Sequence, residues 1–157
     1  MVKKFLTMYD YIEMLIDKMI TKELWDISIG PSGVNIQVGN KIINKGDLLP
    51  SGEVSLWIQC DVKIFSNEKE IFFSIFPQER EDLPIYVSYL EGKKIIHTSL
   101  DKKNNSLRID LEFDISVQIY PQSTKSEKYW IIYDNQDNNP DGIIVFNNLI
   151  NPPNFIN

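Results

Sequence analysis

Few residues in this chain can do chemistry: one cysteine, Cys60, one histidine, His97, and the carboxylates. A cysteine nucleophile needs a base to hold it as thiolate, so Cys60 and His97 are the only pair of their kinds that could form a dyad. Cys60 falls in the apolar register of an alternating segment, which predicts an inert core thiol. One Cys and one His do not supply the ligand set of a usual zinc site. Asp110, Glu112 and Asp114 are spaced by two, which on a strand places neighbours on one face about 7 Å apart. Such a row could serve acid–base chemistry or a calcium ion; on an exposed face it is a solvated acidic surface. Asp137, Asn139 and Asp141 before Gly142 have the opening spacing of a calcium loop, but Asn148 stands where that loop requires its closing glutamate. There is no glycine-rich phosphate cradle ahead of a helix and no basic strip with interleaved aromatics. The residues therefore predict no enzyme, no cofactor and no metal.

What remains is a surface. The 157 residues carry a net charge of −6. An acidic domain repels phosphate backbones and anionic lipid, which disfavours nucleic acid and membrane as partners. Its natural complement is a cationic protein, because opposite fields speed encounter. The candidate contact residues are Asp110, Glu112 and Asp114 for charge and Trp57, in the polar register of its strand beside Asp61, for an aromatic anchor. Asp134, Asp137 and Asp141 line an Asn-rich loop that could complete the interface.

The elements that must hold these residues follow from periodicity. Phe5, Met8, Tyr9, Ile12, Leu15, Ile16, Met19 and Ile20 recur at helical spacing, which predicts an amphipathic helix over about residues 4–22. Alternation then takes over, predicting a sheet over about residues 24–146. Residues 24–29 and 34–38 form a hairpin across the turn Gly30-Pro31-Ser32-Gly33. Residues 54–64 read as one long strand with Val54, Leu56, Ile58, Cys60, Val62 and Ile64 inward. The alternation from Leu107 through Phe113 to Ile119 is the strongest pattern; it exceeds the usual strand of about 5–6 residues, so a bend or a break is expected near Phe113-Asp114. Further segments are expected at 71–76, 85–90, 94–100, 129–134 and 143–146, ahead of an irregular Asn/Pro-rich tail, 147–157. The fold class is thus α+β in a single domain, 1–157: an N-terminal helix packed on a mostly antiparallel twisted sheet or partly closed barrel. Leu24–Val38 and Ile95–Leu111 both read strand, turn, strand, and each precedes a tryptophan-centred segment, at Trp57 and Trp130. This echo is consistent with two half-sheets related by pseudo-symmetry. Asp10, Glu13 and Asp17 break the N-terminal apolar run, so no signal peptide is expected. With one cysteine excluding an internal disulfide, the cytosol is the expected compartment.

Residues 55–60 (Ser-Leu-Trp-Ile-Gln-Cys), 90–95 (Leu-Glu-Gly-Lys-Lys-Ile), 106–113 (Ser-Leu-Arg-Ile-Asp-Leu-Glu-Phe), Ile119-Tyr120-Pro121 and 127–130 (Glu-Lys-Tyr-Trp) resemble a family of small bacterial proteins carrying a domain of unknown function. The resemblance spans about residues 54–133; the Lys/Asn turn at 101–105 and the Asn-rich tail depart from it. Small acidic proteins of this look are also similar to the immunity proteins of bacterial toxin systems. That likeness implies a protein that binds and neutralises a toxin domain, often a basic nuclease. It brings no motif that assigns residues. The alternative expectation is a homo-oligomeric structural or interaction module.

Overall fold

The computed structural model describes residues 7–30, 33–44, 46–74, 88–121, 129–137, 142–145 and 150–151. The helix, α1, runs Met8–Lys18. Thr7 caps it: its hydroxyl accepts from the Asp10 N–H while the Asp10 carboxylate accepts from the Thr7 N–H, each at 3.0 Å. The helix is shorter than the expected 4–22 at both ends: it begins only after Thr7, whose backbone is extended, and stops at Lys18. Thr21 adopts φ +73° and donates its N–H to the Ile95 carbonyl at 2.7 Å, so the chain leaves the helix to pair with a strand. Thr7-x-x-Asp10 is a start signal that the expected bound at about residue 4 did not use; the C-terminal stop depends on a partner far along the chain. Ile12, Leu15, Ile16 and Met19 are buried, so the apolar stripe faces the core as expected.

Among the described residues eleven strands follow: β1 Leu24–Gly30, β2 Gly33–Val38, β3 Val54–Gln59, β4 Asp61–Ser66, β5 Lys69–Ser74, β6 Ile95–Asp101, β7 Ser106–Leu111, β8 Ile115–Tyr120, β9 Tyr129–Asp134, β10 Ile143–Val145 and β11 Ile150–Asn151. They form two antiparallel sheets, β1-β2-β3-β9-β10-β11 and β5-β4-β8-β7-β6, and neither closes into a barrel. The inward residues of both sheets and the helix make one apolar cluster, with α1 touching β6 of one sheet and β9 of the other.

The predicted single strand 54–64 is two strands. At Cys60 the chain passes from the first sheet to the second, yet Leu56, Ile58, Cys60 and Ile64 are all buried. Alternation survives the corner because both sheets turn one face to the same core. The run 107–119 also breaks, near Phe113-Asp114 as expected. There the chain reverses, because Phe113 (φ +64°) and Asp114 (φ +57°) are both left-handed.

The two-half echo is visible in the topology. The first half lays β1-β2-β3 in one sheet and then sends β4-β5 to the other. The second half lays β6-β7-β8 in that other sheet and sends β9-β10 back. The two tryptophans are not counterparts: Trp57 lies in the third strand of its half, whereas Trp130 lies in the fourth. Segments 75–87 and 146–149, with the expected element at 85–90, fall largely outside the described residues.

Candidate functional site

The acidic row expected on one strand face is not assembled. Only Asp110 lies in a strand; Glu112 and Asp114 sit in the β7–β8 turn, which the left-handed backbone at Phe113 and Asp114 creates. Asp110 is met from two sides. Arg108 donates Nε to it at 2.8 Å and His97 Nδ1 lies 3.5 Å away. Arg108 also reaches the Glu68 carboxylate at 3.4 Å, and the Asp110 bond, with Glu68 beside it, holds the guanidinium pKa above its ordinary value. The Glu112 carboxylate accepts the Lys94 N–H at 2.7 Å while Glu112 donates its own N–H to the Lys94 carbonyl at 3.1 Å. It clamps the turn to the segment entering β6. Asp114 is exposed, and its carbonyl accepts the Asn67 N–H at 2.9 Å.

The other candidates are dispersed. Asp61, expected at the surface beside Trp57, is 3% exposed; it opens β4 at the corner where the chain changes sheets, and the burial of that corner corrects the expectation. Trp57 is half-buried on the outward face of β3, between Asn35 and Ile131. Its indole lies against Gly33, where a side chain would have no room. Asp134 accepts from Lys18 Nζ at 3.2 Å and from the Gln136 N–H at 3.1 Å, which ties β9 to the helix. Asp134 pairs with Val54, and its alternation with Ile131 puts it on the face opposite Trp57. Asp137 is exposed, and Asp141 lies outside the described residues.

Cys60 and His97 are likewise apart. Cys60 is buried in the β3–β4 corner, whereas the His97 side chain is 64% exposed near the start of β6. Strand directions place these positions toward opposite ends of the two sheets. Among the described residues no group of three His, Cys, Asp or Glu side chains could hold a metal ion, and no helix is long and apolar enough to cross a membrane.

One polar cluster is built with care. Glu53 accepts from the Asn40 N–H at 2.8 Å, from Lys22 Nζ at 3.3 Å and from Gln136 Nε2 at 3.2 Å. The Asn40 bond, with Lys22 and Lys18 beside it, holds the Glu53 carboxyl below its usual range, against the opposing effect of burial. Tyr11 is raised instead, by burial and by the Asp134 and Asp137 charges. The Glu53 cluster joins the segments that follow α1, β2 and β9 to the residue that leads into β3, so its chemistry is that of a fastening.

Sequence reasoning missed the exposed apolar side chains. Phe113 belongs to the strongest alternation yet is 78% exposed, because it sits on the tip of a reversal. Ile43, Leu48 and Leu49 are 71%, 100% and 75% exposed in the β2–β3 connection. A signal for them existed: apolar residues set among the turn-formers Asn44, Gly46-Asp47 and Pro50 have no strand face to join.

The fold and this surface define a two-sheet β protein with one helix and an exposed, partly apolar set of loops. No protein family, characterised protein or solved structure matches the chain.

Proposed function

We propose that this chain is an immunity-type binding protein, which docks on a cationic toxin domain such as a basic nuclease and neutralises it. The observation that carries the reading is the exposure of large apolar side chains on an acidic protein: Leu48 is 100% and Phe113 78% exposed on a chain of net charge −6. Exposed apolar groups rimmed by polar ones mark interaction sites, and the charge selects a basic partner. Acting in the cytosol as a stoichiometric inhibitor, the protein needs neither cofactor nor catalytic group.

The test is co-expression with the protein encoded immediately upstream. The expected outcome is a stable complex and protection of the host from that neighbour's toxicity. A toxic neighbour that neither binds nor is neutralised overturns the reading.

A second reading, a homo-oligomeric module, is favoured by β6, an outer strand of its sheet with Ile96 59% exposed. It requires concentration-dependent association in analytical ultracentrifugation; a monomer throughout removes it.

A further inference from the structure

We propose that one end of the two sheets, the end bearing the β2–β3, β4–β5 and β7–β8 connections and the turn after β9, is the docking surface for a cationic protein partner. This rests on the binding reading above and replaces the sheet face with the loop end as the interface.

Strand directions bring these connections together, and hydrogen bonds join them. Asn44 Nδ2 donates to the Asn135 carbonyl at 3.4 Å, and the Asn135 N–H to the Glu53 carbonyl at 3.0 Å. Gly39 N–H donates to Glu23, Leu24 N–H to Lys93, and Glu112 N–H to Lys94, at 3.0–3.1 Å. The Asn67 N–H closes the series on Asp114. The loops therefore form one connected surface.

That surface carries most of the exposed large apolar side chains among the described residues. Ile43, Leu48, Leu49 and Phe113 lie in its loops, and Ile96, 59% exposed, lies at the start of β6 beside it. Among the described residues Met14, on α1, stands well away from it, and Tyr89, 46% exposed, lies in the segment that enters β6. Folding does not need these groups outside; burying them on a partner gains the transfer free energy that folding left unused.

Charge selects the occupant. The carboxylates of Asp47, Glu68, Glu91, Asp114 and Asp137 are exposed here, against the exposed lysines Lys41, Lys69 and Lys94. Lys41 lies over the Trp25 ring at 5.1 Å, Lys22 is held by Glu53 at 3.3 Å, and of the carboxylates Glu68 is met by Arg108 at 3.4 Å. A second copy would set like charges face to face, and nucleic acid or anionic lipid would be repelled. A protein with a basic rim around an apolar recess fits both features.

The experiment uses the purified upstream-encoded protein as probe and titration calorimetry as readout. Leu48→Asp/Leu49→Asp and Phe113→Ser are each expected to weaken binding by roughly thirtyfold or more, as for interface hot spots. Lys103→Ala, in the β6–β7 turn at the other end, is expected to bind as the wild type. Both loop variants change exposed side chains, and urea unfolding checks that the fold is kept. Undiminished binding by both, with loss on Asp110→Asn, returns the interface to the sheet face and overturns this inference while leaving the binding reading intact. Self-association of the free chain that Leu48→Asp/Leu49→Asp abolishes overturns it in favour of a second copy. No binding of the wild-type chain to the probe overturns both.

Discussion

Asn105 is a buried polar residue on which helix, turn and second sheet converge. It is fully buried with φ +58°, its Oδ1 accepts from the Tyr9 hydroxyl at 2.7 Å, and its carbonyl accepts from Trp130 Nε1 at 3.0 Å. It thereby ties the helix and the β6–β7 turn to β9 of the other sheet. Asn105→Ala loses the side-chain acceptor and places a Cβ residue without a compensating bond in left-handed backbone. It is expected to cost about 2–3 kcal/mol in urea unfolding. Asn105→Gly keeps the backbone freedom and is expected to cost about 1 kcal/mol less; equal losses refute the backbone account. Glu53 gives the pH dependence. Its folded pKa is depressed, chiefly by the Asn40 N–H and then by Lys22, so the unfolded chain binds the proton more readily. Its stabilisation is complete above the ordinary carboxylate pKa and is lost as pH falls through the depressed folded value. Glu53→Gln is expected to flatten the acid limb of the stability curve, measured by denaturant unfolding across that range. None of these partnerships was legible in the sequence, because each joins residues far apart in the chain.

At the level of elements, periodicity located nearly every described strand and misplaced the ends. The β4–β5 hairpin shows why ends are hard. Asn67 (φ +52°) and Glu68 (φ +64°) form its two-residue turn, although glutamate has no preference for left-handed backbone. Glu68→Gly is expected to stabilise the chain by about 0.5–1 kcal/mol, read from the urea midpoint at constant slope. Loss of the Arg108 contact subtracts little, since the Glu68 side chain is 84% exposed. A destabilised variant would show that the ion pair, and not the turn, governs this position. Phe113 follows the same logic in the β7–β8 turn. Alternation assigned it inward because a period of two continues through a short reversal, and periodicity does not register the change of direction.

Across the whole molecule, the corner at Cys60 lets one core serve two sheets. The thiol is 1% exposed, so it is expected to react with a thiol reagent only as fast as the chain unfolds globally. Labelling much faster than unfolding, followed by mass spectrometry, would revive a chemical role for Cys60. The sequence alone determined the class of this protein: one helix, a mostly antiparallel β body, a single cysteine in an apolar register and a net acidic composition. Periodicity and composition are local or summed properties, and they survive folding unchanged. Tertiary structure decided that the β strands divide between two sheets and that each half of the chain sends two strands across. It decided which carboxylates were consumed, with Asp110, Glu112 and Asp134 answered by Arg108, Lys94 and Lys18, and which loops met at one end. Those outcomes depend on distances between residues remote in the chain, and only the packed core sets such distances.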